Sequence, residues 1–110
     1  SLSDTDDDWS KNMKNNQAGA LLARYTFLRE HPSLQHCDFE LGKVDWAYID
    51  AQEWNQTQLI LIEILRFLMT NTGNVQVEDI NYLSDVERHA VVMALSEKYS
   101  TTGLEENLAR

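Results

Sequence analysis

Side chains that can bind a metal or act as a nucleophile are concentrated between His31 and Glu40. This segment contains His36, Cys37 and Asp38, and imidazole, thiolate and carboxylate groups are common ligands of zinc and iron. The spacing matches neither the C-x2-C nor the H-E-x-x-H pattern, and no second compact set of ligands occurs elsewhere in the sequence. His31, His36, Cys37 and Asp38 are therefore weak metal candidates, and the favoured prediction is that the chain uses no metal and no cofactor.

Cys37 directly follows His36, a pairing that superficially suggests a nucleophile with its base. Adjacent residues rarely bring their side chains within hydrogen-bonding distance, and the pattern implies no third residue to orient the histidine. Phosphate-binding loops, Walker motifs and nucleophile elbows are missing, and four glycines make a phosphate cradle hard to build. The sequence disfavours an enzyme, although it leaves an atypical active site open.

A second set of residues has the side-chain types that protein interfaces use most. Tryptophan, tyrosine and arginine are enriched where protein partners bind. The candidates in this sequence are Trp9, Trp46, Tyr48, Trp54 and Arg88. If the chain is noncatalytic, we expect these residues to engage a protein partner.

Arg88 is informative because helical spacing places it at the centre of an apolar arc. The arc consists of Val91, Val92, Leu95 and Tyr99. The favoured interpretation is structural: the stem of Arg88 crosses apolar surface with its head at the edge, or the head meets a carboxylate inside the fold. The alternative is that Arg88 marks an exposed patch used for partner binding.

The chain is strongly acidic, with 18 acidic against 9 basic residues and a formal net charge of -9. A surface that repels phosphate lacks the counterion release that drives nucleic-acid binding, which argues against DNA or RNA as a direct partner. The charge is compatible with a basic protein partner or with imitation of nucleic acid. Plain solubility is nevertheless the favoured explanation of the charge.

Cysteine content and hydropathy bear on the compartment. A single cysteine cannot form an internal disulfide, which fits a reducing compartment, so the sequence favours the cytoplasm. The longest apolar run, residues 59–69, is interrupted by Glu63 and Arg66 and is too short to cross a bilayer. The first eight residues contain four aspartates and no basic residue, where a signal peptide would be basic and then apolar. We therefore expect no membrane association.

The elements that position these residues are predicted to be helices. Apolar residues between Asn15 and Glu30 recur at helical spacing, and Pro32 predicts that this helix ends near Glu30. Residues 1–14 are mostly polar and charged, which predicts a flexible acidic arm. Residues 100–110 are predicted to form a C-terminal tail, which leaves the helical domain between these two segments.

A second helix is predicted over residues 56–70 and is apolar around most of its circumference. Asn55 can cap its first turn, and Glu63 and Arg66 form an ion pair on its narrow polar strip. Gly73 is expected to supply the left-handed residue that ends this helix. A helix this apolar must be surrounded by other elements, so we expect it to be central.

Two further helices are predicted from their capping residues. Asp45 can cap a short helix within residues 44–54, although alternating apolar residues leave a strand open there. Ser84 and Glu87 match the S-x-x-E capping box at the start of a helix over about residues 85–99. The predicted fold is an all-α, single-domain bundle of four to five helices around the helix at 56–70.

The sequence leaves three hypotheses about function. The favoured one is a noncatalytic protein-interaction or regulatory domain of the inhibitor or immunity type, because the charge is high and no catalytic motif is present. The second is a small metal-binding protein or enzyme that uses the loop from His31 to Glu40. The third is a structural homo-oligomer in which the Leu/Ile-rich helix is buried across a two-fold axis.

Overall fold

The chain folds into a bundle of helices, in agreement with the predicted all-α class. The structure, a computed structural model, describes residues 2–100, with side chains described from Ser10 onward. The α-helices are α1 (Leu2–Arg24), α2 (Trp46–Asp50), α3 (Gln56–Thr70) and α4 (Asp85–Lys98). Short 3-10 helices are η1 (Phe27–Arg29), η2 (Pro32–Leu34) and η3 (Val77–Tyr82). Across residues 2–100, the β pairing is limited to one isolated bridge between Asp38 and Lys43.

The first helix is displaced towards the N-terminus relative to its predicted bounds. It begins at Leu2 and therefore includes most of the segment for which the sequence predicted an arm, whose mobility stays a prediction. It ends at Arg24, so the predicted end near Glu30 is wrong. The reason is Thr26, whose hydroxyl donates to the carbonyl oxygen of Leu22 at 2.9 Å while its backbone is extended. Threonine side chains compete with the helical backbone for hydrogen bonds in this way.

The apolar helix α3 begins as the sequence predicts and ends differently. The side chain of Asn55 accepts a hydrogen bond from the backbone N–H of Gln58 at 2.8 Å, which completes a capping box. At the other end, Asn71 rather than Gly73 takes the left-handed conformation, with φ of 61°. Asparagine tolerates this region better than other non-glycine residues do. Gly73 has a φ of 127°, and a Cβ added to it would lie 2.9 Å from the carbonyl oxygen of Glu63.

The core lies mainly between α3 and α1. The buried side chains of α3 are Ile60, Leu61, Ile62, Ile64, Leu65 and Leu68. Helix α1 packs against both α3 and α4, and its contact with α4 is the most extensive between any two of these helices. Helices α1 and α3 approach closely at Gly19. A Cβ added to this glycine would lie 2.6 Å from Cγ of Met69, so a larger residue would not fit without a shift. Helix α1 therefore shares the central position that the sequence assigned to α3 alone.

Helix α4 has the predicted start but a different buried face. The hydroxyl of Ser84 accepts from the N–H of Glu87 at 3.2 Å, and the Glu87 carboxylate accepts from the N–H of Ser84 at 2.7 Å. The buried residues of α4 are Ala90, Val91, Ala94 and Lys98. Val92 and Tyr99, which belong to the predicted apolar arc, are 60% and 55% exposed.

The segment before α3 is helical, so the strand alternative is wrong. The Asp45 carboxylate accepts from the backbone N–H of Tyr48 at 3.1 Å and caps α2 as predicted. Ile49 is fully buried and anchors this short helix to the core. No helix in the described part of the chain is both long enough and apolar enough to cross a membrane.

Candidate protein interface

An apolar groove of about 430 Å³ lies between the C-terminal half of α3, the helix η3 and α4. It is lined by Ile64 and Phe67 of α3, by Val77 and Ile80 of η3, and by Val91 and Leu95 of α4. Ile64 and Val91 are buried and form its base, whereas Val77 is 85% exposed at its edge. The groove thus presents aliphatic and aromatic side chains to solvent over a continuous concave surface.

Among residues 10–100, the path of the chain after α3 leaves the groove uncovered. Helix α4 packs mainly on α1, and its direct contact with α3 is much smaller. The connection returns along α3, where the Glu63 carboxylate accepts from the N–H of Asn74 at 3.0 Å. The Asp79 carboxylate then accepts from the N–H of Gln76 at 3.1 Å and holds the start of η3. These hydrogen bonds place η3 beside α3 as one wall of the groove.

The exposed part of α4 continues the apolar surface beyond the groove. Val92 and Tyr99 are seven residues apart, which places them on the same face of a helix with about 3.6 residues per turn. Leu95 lies between them and lines the groove itself. The predicted arc therefore exists, but the structure divides it into a buried part at Val91 and an exposed part.

Arg88 lies at the surface beside this apolar arc, with a side chain that is 43% exposed. Its guanidinium pairs with the Asp85 carboxylate at 2.7 Å, one turn earlier on the same helix. Asp85 is itself almost fully exposed. The prediction that Arg88 meets a carboxylate inside the fold is therefore wrong. A surface pair of this kind contributes little to stability and can be exchanged for an intermolecular contact.

Two of the predicted aromatic candidates are packed into the domain. The indole N–H of Trp54 donates to the carbonyl oxygen of Ile49 at 2.8 Å, and its ring centroid lies 4.8 Å from that of His31. The ring of Trp46 has the guanidinium carbon of Arg66 above it at 4.7 Å. Both tryptophans pack against the core while remaining partly accessible.

Of the other two aromatic candidates, Tyr48 has a described side chain and Trp9 does not. Tyr48 is exposed, and its ring makes an edge contact with that of His36 at 5.1 Å between centroids. The side chain of Trp9 lies outside the described residues. Of the aromatic candidates described here, Tyr48 is thus the most accessible, and it does not line the groove.

The loop from residue 31 to 40 does not gather its potential metal ligands. Nδ1 of His31 accepts from the backbone N–H of Ser33 at 3.2 Å, and the carboxylate of Asp38 accepts from the N–H of Leu41 at 3.2 Å. His36 faces a tyrosine ring instead of a second ligand. Among the side chains described from Ser10 to Ser100, no three His, Cys, Asp or Glu residues are grouped so that they could hold a metal ion.

Cys37 is half-buried beside Asp45. Burial raises the pKa of the Cys37 thiol; a backbone hydrogen bond from Asp45 lowers it to a smaller extent, and the negative charge of Asp45 adds a still smaller increase. The thiolate is the nucleophilic form of cysteine, so a raised pKa makes the side chain less reactive at neutral pH. This environment is that of a packed thiol and not of a catalytic nucleophile.

The sequence interpretation missed a buried polar pair formed by Lys98 and Asn15. Lys98 is only 7% exposed, and its Nζ donates to Oδ1 of Asn15 at 2.9 Å and to the carbonyl oxygen of Leu68 at 2.8 Å. Desolvation lowers the pKa of Lys98. Leu68 lies in the last turn of α3, where the helix dipole favours a positive charge. Lys98 follows Val91 and Ala94 at helical spacing, which is the signal that could have revealed its burial.

No family model, curated protein or solved structure matches this chain. Its function therefore has to be argued from its own surface. Within the described residues, the groove joins accessible apolar side chains of α3, η3 and α4 into one concave site, and it is the candidate interface.

Proposed function

We propose that this chain is a small noncatalytic domain that binds a protein partner through the groove between α3, η3 and α4. The observation that carries the proposal is a groove with a buried apolar base and the exposed Val77 at its edge. Val92 and Tyr99 are also exposed, on the helical face that carries the groove-lining Leu95. Contiguous exposed apolar surface in a folded protein commonly marks a binding site. Covering these side chains would remove apolar area from water and favour association.

The exposed residue types of α4 and of its C-terminal end support the same function. Arg88 of α4 and Tyr99, which follows this helix, are exposed, and tyrosine and arginine dominate the binding energy of many interfaces. A central apolar surface with a polar edge is the usual arrangement of a specific interface. The groove has this arrangement.

Within the described residues, four titratable side chains are engaged in structural contacts at separate places, which supports a noncatalytic function. Lys98 already donates to two acceptors, and the pKa of Cys37 is raised by burial. His31 and His36 lie against aromatic rings. A small acidic domain of this kind can regulate a partner by covering part of its surface, as inhibitor and immunity-type proteins do.

Site-specific photo-crosslinking in the native cells tests the proposal. A photoreactive phenylalanine analogue replaces Val77 in one version of the chain and Leu41 in another. Leu41 is exposed but lies outside the groove, so it is the matched control. We expect a covalent adduct with one protein from position 77, a weaker adduct when Val92→Ser is added, and none from position 41. No adduct from position 77, or equal adducts from both positions, would reject the proposal.

The same experiment separates a different partner from a second copy of this chain. Six apolar side chains of α3 are buried inside the domain, and Leu59 is its exposed large apolar residue, so most of the apolar surface of this helix is already covered without a two-fold interface. Two copies would also repel each other, because each carries a net charge of -9. An adduct of twice the chain mass would replace the proposal with a homo-oligomer.

A further inference from the structure

We infer that the partner segment seated in the groove is a basic amphipathic helix, an inference that rests on the proposed function. Its apolar face would cover the groove, and its lysines or arginines would face the acidic wall. We define the acidic wall as Glu78 and Glu87, which adjoin residues that line the groove: Glu78 follows Val77 on η3, and Glu87 lies one turn before Val91 on α4.

The segment that supplies Gly73, Val75, Val77 and Ile80 to the groove carries charges of one sign only. Residues 71–87 form the connection, η3 and the start of α4, and they contain four acidic residues and no Lys, Arg or His. Glu78 is exposed, and Glu87 lies one turn before Val91 on α4. On α4, Arg88 and Asp85 pair and compensate each other, and Lys98 lies inside the domain, which leaves Glu78, Asp79 and Glu87 as the charges of this region that are unpaired among the described residues. A partner that covers this groove therefore meets negative potential.

The shape of the site favours a helix over an extended peptide. An added strand needs a free sheet edge to supply main-chain hydrogen bonds, and residues 2–100 contain one isolated bridge instead of a sheet. A groove bounded by helices receives an amphipathic helix through apolar side chains spaced three, four and seven residues apart. Val77, Phe67 and Leu95 come from three different elements and offer contacts to successive anchors of such a helix.

The charge of the whole chain acts in the same direction. A net charge of -9 attracts a basic segment over a distance and increases the rate of encounter at low ionic strength. The same charge opposes a second copy of this chain or an acidic partner at this site. Apolar contact in the groove and charge at its edge would together select a cationic helix.

Titration of the full chain by NMR with synthetic helical peptides tests the inference. The probe is a leucine–lysine peptide with all leucines on one face. One control peptide has glutamate in place of lysine, and another has the same leucines and lysines scrambled around the helix. We expect the probe to bind more weakly as salt increases, with backbone shifts concentrated at residues 64–67, 75–80 and 91–95, and both control peptides to bind much more weakly.

Substitutions in the chain separate the apolar and electrostatic contributions. Val77→Ser with Val92→Ser should weaken binding of the probe about ten-fold, because exposed apolar contacts are lost without a change in the core. Glu78→Gln should weaken it about two- to five-fold and reduce its salt dependence. Leu41→Ser, outside the groove, should leave the affinity unchanged.

Three results would overturn the inference: equal binding of the glutamate peptide, equal binding of the scrambled peptide, or shifts located away from the groove. If position 77 still crosslinks to a protein in cells while the lysine peptide fails to bind, the groove remains an interface and only the basic helix is rejected. If the crosslink is also absent, the proposed function itself fails.

Discussion

Lys98 and Asn15 form a buried hydrogen bond between α4 and α1, although the two residues are 83 positions apart in the sequence. The same ammonium group donates to the carbonyl oxygen of Leu68 near the end of α3. The rings of Phe67 and Tyr99 lie 5.4 Å and 5.5 Å from Nζ of Lys98. One side chain thus connects three helices through neutral acceptors and aromatic rings.

Removal of the Asn15 acceptor should destabilise the domain. Asn15→Leu leaves a buried ammonium group with one fewer partner, and we expect the free energy of unfolding to fall by about 1–3 kcal/mol. Adding Lys98→Met removes the unpaired charge and should recover part of the loss. Urea denaturation followed by circular dichroism measures both variants. A double variant no more stable than Asn15→Leu alone would contradict this account of the pair.

The lowered pKa of Lys98 predicts a specific dependence of stability on pH. The ordinary value is 10.5, and desolvation lowers the pKa in the folded state, so the unfolded chain binds more protons between the two pKa values. The contribution of Lys98 is fully present above pH 10.5 and is lost as the pH falls through the folded pKa. The unfolding free energy of the native chain relative to Lys98→Met should therefore rise with pH in that window. A flat or falling difference would show that the pKa is not lowered.

The Cys37 thiol should react slowly in the folded protein. Its pKa is raised from 9.0, chiefly by desolvation, so less thiolate is present at neutral pH than in the unfolded chain. Alkylation by iodoacetamide, followed by mass spectrometry, should be slower in buffer than in denaturant. Any stability that this shift supplies is present below pH 9.0 and is lost as the pH rises through the folded pKa. Equal alkylation rates in both solutions would refute the assignment of Cys37 as a packed thiol.

Substitution should destabilise the protein much more at Gly73 than at Asn71. Gly73→Ala places a Cβ 2.9 Å from the carbonyl oxygen of Glu63 at a φ of 127°, and we expect a loss of about 1–3 kcal/mol in stability. Asn71→Gly is the matched control, because glycine adopts a φ of 61° without strain, and stability should change by less than about 1 kcal/mol. Thermal unfolding measures the stability of both variants. An equal loss in both would show that the turn is sensitive to substitution in general, and would contradict the explanation from the Cβ at Gly73.

Arg88 and Arg66 provide a matched comparison of an exposed and a packed arginine. Arg88→Ala should change the free energy of unfolding by no more than about 0.5 kcal/mol, because its ion pair is at the surface. Arg66 pairs with Asp50 and Glu63 and covers the ring of Trp46, so Arg66→Ala should cost more, about 1–2 kcal/mol. Denaturation curves measured side by side should show this order. A larger loss of stability for Arg88→Ala than for Arg66→Ala would show that Arg88 is a structural residue and is not available to a partner.

Features that depend on nearby residues could be predicted from the sequence. The caps at Asp45, Asn55 and Ser84 are each formed with a backbone N–H three residues later, so residue type and spacing were sufficient. The all-α class followed from helical spacing and from the apolar character of α3. The Glu63–Arg66 pair followed for the same reason, because both residues lie on one helix and interact across about one turn.

The candidate site could be predicted only in part. The sequence identified the apolar arc on α4 and left open whether Arg88 is structural or part of an exposed patch, but it could not show which part of the arc is covered. The exposure of Val92 and the groove beside Leu95 depend on how α4 packs on α1 and how η3 returns along α3. The contacts of Trp54 with His31 likewise depend on distant elements meeting.

Local hydrogen bonding and hydrophobic spacing depend on residues close together in the sequence. They specify where helices start and which class of fold results. Contacts between residues far apart in sequence depend on the angles and distances at which whole helices pack. Lys98 shows the difference: its position on α4 is periodic, but its burial against Asn15 and Leu68 exists only once three helices are assembled. The groove depends on the same assembly, since it occupies the space that α3, η3 and α4 leave unfilled.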